Sequence, residues 1–169
     1  MVLTIVAQNA DQAAFDQLHA IAKASKNESE ARRYYNALAA VRDPKLVRQA
    51  LDIVMSSELP PQMAGRRARV ITAMAPNSPQ LVWEFYKAHV DELNATSSEF
   101  GRALSIANVP TAFWNAAPLN ELAAFVKAKG QPAPAQMVAR AMERARFSLA
   151  VRARLVPAAD AYVGSHGAR

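Results

Sequence analysis

Apolar residues recur along this chain at intervals of three and four, the spacing of one face of an α-helix. Nowhere do they alternate strictly, as a half-buried strand requires. Phe15, Leu18, Ile21 and Ala22 make the first stripe, and Asp11 ahead of them is placed to accept from the orphan amides of a helix start. The polar run Lys26–Asn27–Glu28–Ser29 turns the chain into a second helix, with Tyr34, Leu38 and Val41 on one side and Tyr35 and Ala39 close by. Asp43–Pro44 is a strong start signal, because the carboxylate caps and a proline at the first helical position gives up no hydrogen bond. Behind it Leu46, Val47, Ala50, Leu51, Val54 and Met55 form a broad apolar stripe.

The same grammar continues. Pro60–Pro61 predicts a helix carrying Met63, Ala64, Val70, Ile71 and Met74, which Asn77–Ser78–Pro79 ends. The next helix presents Leu81, Val82, Phe85, Tyr86, His89 and Leu93. Ser97 or Ser98 caps a further one using Phe100, Leu104 and Ala107, and Pro118 begins another with Leu122, Ala123 and Val126 that ends near Gly130. A long last helix starts around Ala133–Pro134 and runs past Phe147; Pro157 kinks it or opens a short final turn, and 164–169 form a frayed tail.

Helix-start prolines lie 35 residues apart from Pro44 to Pro79 and 39 apart from Pro79 to Pro118, and each interval holds two helices. That is the period of helix-pair repeats, each of which buries a face against its neighbours. The expected fold is all-α: an irregular right-handed helix-pair solenoid of the HEAT or armadillo kind, with about eight to nine helices in one domain over 1–169. A closed bundle is the alternative, since the repeats share spacing more than sequence.

Composition narrows the function classes. The chain is 169 residues long with 51% hydrophobic and 20% charged residues, enough for one sizeable core and unlike a disordered segment. It has no cysteine, so disulfides and thiolate zinc sites are excluded. The longest uncharged run, Ala103 to Asn120, is interrupted by Asn108, Pro110, Thr111, Asn115 and Pro118, so it predicts no membrane span. The apolar Val2 to Ala7 is too short for a signal peptide and follows no basic residue, so the sequence names no compartment. A net charge of +6 raises the question of nucleic acid, with clusters at Arg32–Arg33, Arg66–Arg67–Arg69 and Arg140 to Arg154. The aromatics sit mostly at apolar-face positions of their own helices, which argues for solvated helix faces instead.

Catalytic chemistry is missing. His19, His89 and His166 are not spaced to hold zinc on one helix face, and there is no H-E-x-x-H. No G-x-S-x-G elbow occurs, and five scattered glycines make no phosphate loop. Glu28 and Glu30, or Asp91 and Glu92, read as solvated helix-end carboxylates. Asn27–Glu28–Ser29 and Asn94–Ala95–Thr96 match the glycosylation sequon, a triplet common by chance.

Word order supplies more than chemistry does. The segments YYNALAAVRDPKLVRQALDIVMS and SPQLVWEFYKAHVDEL resemble the C-terminal helical domain of the aminopeptidase N family of zinc metallopeptidases, which includes puromycin-sensitive aminopeptidase and the endoplasmic-reticulum aminopeptidases. Tyr35, Leu38, Asp43, Leu46, Leu51, Trp83, Phe85 and Leu93 fall on that pattern, and Arg140 and Glu143 match its terminal helix. The resemblance runs from about Asn9 to Tyr162 and rests on structural residues. It departs at Ser78–Pro79, where the family often has glycine and asparagine. Ala141–Met142–Glu143 echoes the family's G-x-M-E-N amine-binding motif, but no glycine precedes it and Arg144 replaces the asparagine, so it is not such a site.

The resemblance implies a domain without catalytic, cofactor or metal residues of its own, attached to the catalytic domain of the same polypeptide, which holds the zinc. Such a domain encloses the active-site chamber and contacts the far end of peptide substrates. Arg66, Arg67 and Arg69 are the candidate residues for the peptide carboxylate, since a guanidinium binds carboxylate bidentately. The docking face would be bare in the isolated domain, which predicts dimerisation there. A free-standing helical-repeat adaptor that binds protein or peptide is the alternative function.

Overall fold

The computed structural model describes residues 2–98, 101–102, 105, 117–128 and 135–166. Within them the chain is helical and contains no strand. Its elements are α1 (Val2–Gln8), α2 (Gln12–Ala24), α3 (Glu28–Leu38), α4 (Pro44–Met55), the single turn α5 (Pro61–Ala64), α6 (Arg67–Ala73), α7 (Pro79–Thr96), α8 (Ala117–Ala128) and α9 (Ala135–His166). The all-α class read from apolar spacing is the observed one.

Start signals act as their chemistry dictates. The Asp11 carboxylate accepts from the Ala14 amide at 2.9 Å, and that of Asp43 accepts from the amides of Lys45 at 2.7 Å and Leu46 at 3.4 Å. Asn27, the first sequon asparagine, spends its side-chain oxygen on the amides of Ser29 and Glu30 and so caps α3. Ser78 makes no such bond: α7 begins instead on Pro79, while the Asn77 amide donates to the carbonyls of Ala40 at 3.1 Å and Val41 at 3.4 Å. That reach ties the turn before α7 to the turn after α3.

One core joins the helices. It takes Phe15 and Leu18 from α2, Tyr35 and Leu38 from α3, Leu46, Val47 and Leu51 from α4, Ile71 from α6, Trp83, Tyr86 and Leu93 from α7, Leu119 and Leu122 from α8, and Met142 and Ala145 from α9. Packing runs mainly between neighbours in sequence, α2 on α3 and α6 on α7, with α4 against α3, α6 and α7. Near-neighbour packing of this kind is consistent with a helix-pair repeat.

Three elements differ from the reading of the sequence. The helix expected after Pro60–Pro61 is two pieces, because Gly65 closes α5 and Arg66 sits outside helical geometry at φ −117°, ψ 7°. Glycine costs about 1 kcal/mol against alanine inside a helix, and a single turn has little propagation to offset it. In α7 the buried residues are Val82, Trp83, Tyr86, Val90, Leu93 and Asn94, with Leu81, Phe85 and His89 half-buried at the margin. Helix α7 is covered by α4, α6 and α8 together, so its buried arc is wider and turned from the one periodicity suggests.

The third is α9, which continues through Pro157 and Gly164 to His166. Residues 164–166 are thus helical, and 167–169 lie outside the described residues. From Arg152 onward every described residue of α9 is exposed. Ser98 accepts from the Gly101 amide at 3.1 Å, as a cap would. Phe100, Leu104, Ala107, Gly130 and Ala133–Pro134 lie outside the described residues.

Candidate functional site

On α3, Arg32, Arg33 and Asn36 recur at helical spacing and point away from the core-facing Ala31, Tyr35 and Leu38. On α6, Arg69 and Ala73 continue the side that Arg66 begins, three and seven residues on. These two faces form opposite walls of a groove of about 580 Å3, floored by Ala39, Met63 and Val70. The walls carry four guanidiniums and no carboxylate. Among the described residues no hydrogen bond or ion pair engages any of the four.

The groove extends at both ends. Toward the start of α3 it opens into a space of about 310 Å3 lined by Glu28, Ser29, Arg32, Gln62 and Arg66, where the Gln62 amide donates to the Glu28 carboxylate. Past Arg69 it opens into one of about 320 Å3 that reaches Ser97, Ser98 and Gly101. Arg66 borders all three spaces. Unpaired like charges on facing walls raise the local potential and concentrate anions.

Of the three arginines singled out in the sequence, the structure brings Arg66 and Arg69 into this groove and turns Arg67 away. Arg67 Nε donates to the Val54 carbonyl at 2.9 Å and Nη2 to the Ser56 carbonyl at 2.7 Å. Those carbonyls belong to the end of α4, which has no intrahelical donors left for them, so a guanidinium there caps the helix. Arg67→Met is expected to cost about 2 kcal/mol, the loss of charge-assisted bonds, whereas Arg66→Met leaves stability within about 0.5 kcal/mol. Urea unfolding followed by circular dichroism separates the two.

The remaining polar clusters are built for packing. Glu58 accepts from His19 Nε2 at 2.5 Å, pairs with Lys23 at 3.4 Å, and takes the Tyr35 hydroxyl on its backbone carbonyl at 3.4 Å, fastening the 56–60 turn to α2 and α3. Burial, with the Glu58 charge second, raises the Tyr35 phenol above its ordinary value. Between α7 and α8, Glu121 accepts from Trp83 Nε1 at 3.0 Å and from Lys87 Nζ at 2.5 Å. The Lys87 bond, and after it the Trp83 bond, holds the Glu121 carboxyl below its usual range, and the bond to Glu121 raises Lys87. His89 faces Glu92 at 3.8 Å. Among the described residues no group of three or more His, Asp or Glu could hold a metal ion. No helix there is long and apolar enough to cross a membrane.

Sequence reading named the Arg32–Arg33 cluster as solvated surface and missed its place opposite Arg66. No spacing in the sequence pairs the two clusters, because Arg32 lies inside α3 while Arg66 stands outside helical geometry ahead of α6. Asn36 had no signal either.

The family model of the ERAP1-like C-terminal domain matches residues 1–147, which takes in α1 to α8 and the part of α9 that enters the core. The comparison with curated proteins gives no match.

Proposed function

Because the chain belongs to the ERAP1-like C-terminal domain family, we propose that it is the non-catalytic C-terminal domain of a zinc-dependent aminopeptidase. It packs on the catalytic domain, helps to enclose the active-site chamber, and holds the distal, carboxyl-terminal part of a peptide in the groove between α3 and α6. The family match carries this reading. The groove supports its second half: unpaired arginines suit a terminal carboxylate, and a width set by two helices over an apolar floor suits an extended chain.

Packing on a neighbour is supported by α9. It leaves Phe147 70%, Leu155 61%, Tyr162 65% and Val163 64% exposed, large apolar side chains of the kind that a partner covers. Zinc belongs to the catalytic domain in this reading, since the described residues of this chain offer no ligand set that fits it.

The test is kinetic, on the polypeptide that joins this domain to its catalytic domain. Arg33→Gln with Arg66→Gln is expected to raise the KM for long peptides about tenfold, the loss of one charge-assisted contact, with kcat held. Hydrolysis of a single amino-acid anilide, too short to reach the groove, stays unchanged. An unaltered KM for long peptides would sink the groove's role.

A further inference from the structure

We infer that the α3–α6 groove selects peptides whose carboxyl-terminal segment is acidic, binding two or three carboxylates where every peptide supplies one. This rests on the reading of the groove as a peptide site. A terminal carboxylate engages one guanidinium bidentately, or two singly. Arg32 and Arg33 stand on one wall and Arg66 and Arg69 on the other, with no counter-charge in the lining, so a single carboxylate leaves guanidiniums unneutralised on both sides.

Peptide geometry answers that arrangement. An extended chain sends successive side chains to opposite sides. Acidic residues at the last two positions therefore reach the α3 wall and the α6 wall in turn, while the terminal carboxylate lies between. The ends of the groove set direction. Glu28 repels anions at one end even though Gln62 occupies part of its carboxylate. At the other, Ser98 accepts from an amide and keeps its own hydroxyl hydrogen to donate. The acidic terminus accordingly sits at the Arg69 end and the rest of the peptide leaves past Glu28.

Arg67, the fifth arginine of the region, does not join the selection because α4 holds it. The groove arginines are exposed, so each added carboxylate is worth about a threefold gain in affinity, and two about tenfold. The gain weakens with salt as exposed charges do.

Binding of synthetic peptides to the 169-residue chain, measured calorimetrically at low salt, tests this. The peptides share one sequence and end in Glu-Glu acid, Gln-Gln acid or Gln-Gln amide. The expected order is Glu-Glu acid, then Gln-Gln acid about tenfold weaker, then the amide weaker still. In Arg33→Gln/Arg66→Gln, which leaves one guanidinium on each wall, the Glu-Glu advantage falls to about threefold or less. In Arg42→Gln/Arg48→Gln, which removes equal charge from exposed positions outside the groove lining, it persists. Equal affinity for the two acids, both above the amide, overturns the acidic preference and leaves the peptide site standing. No binding by any peptide overturns both. An advantage lost equally in the two double variants, or displacement of the Glu-Glu peptide by a short oligonucleotide that binds more tightly, overturns the inference in favour of a diffuse polyanion surface.

Discussion

Trp83→Ala is expected to lose about 4 kcal/mol of stability. The indole is fully buried at 0% exposure. It stacks on Tyr86 with ring centroids 6.2 Å apart and meets the edge of Phe125 on α8 at 5.3 Å. Its Nε1 donates to Glu121, also on α8, at 3.0 Å. Truncation therefore leaves a large cavity and removes one of the two donors that hold α8 against α7. A domain of ordinary stability has about 5–15 kcal/mol in hand, so the variant sits at the edge of unfolding at room temperature. Chemical denaturation measures it. Trp83→Phe separates packing from the hydrogen bond, keeping most ring contacts and losing about 1–2 kcal/mol. A Trp83→Ala loss below about 1.5 kcal/mol, the range of an ordinary surface or small-cavity change, contradicts the account.

The Trp83 site also fixes an acid response. Glu121 has its carboxyl held below the usual range by the Lys87 and Trp83 bonds, so its contribution is complete above the unfolded carboxylate value. It is lost as pH falls through the lower folded value, and α8 loosens from α7 on the acid side. Glu121 is about half exposed, which screens the pair and keeps this smaller than the packing term.

Helix starts were legible because capping is local. Asp11 and Asp43 act through bonds to residues two or three positions on, and Pro44 through its own fixed φ, all of which a sequence displays directly. The buried arc of α7 was legible only in part: its position depends on α4, α6 and α8, and Trp83 and Val90 are buried by helices the local pattern does not see. The arginines show the same limit more sharply. Arg66 and Arg67 share a run but not a side: Arg66 stands outside helical geometry and lines the groove with Arg69, whereas Arg67 opens α6 and reaches the end of α4. Which of the two faces looked at α3 and which at the end of α4 was a matter of tertiary packing, and the facing pair Arg32–Arg33 came from another helix altogether. Chemistry was legible by type, and the groove that assembles it was not.

Tyr86 makes the second large prediction, on the alkaline side. Its ring is fully buried beneath Trp83, and its hydroxyl has no hydrogen-bond partner among the described residues. Burial alone pushes its pKa up from 10.0 to about 12. Unfolded tyrosine ionises near 10, while the folded protein keeps the proton, so the native state is penalised as pH rises from that value toward 12. The shift toward 12 makes a loss of about 2 kcal/mol by pH 12. Tyr86→Phe keeps the stack on Trp83 and removes an oxygen that was desolvated without a bond, so it is expected to gain about 1 kcal/mol at neutral pH. The stability curves of the two proteins then run parallel below pH 10 and diverge above it, the variant losing less. Tyr35, raised chiefly by burial, is present in both and cancels in the difference. Parallel curves through pH 12, or a phenylalanine variant less stable than the parent at neutral pH, would show that the buried hydroxyl has found a partner and that its burial is not the cost assigned to it.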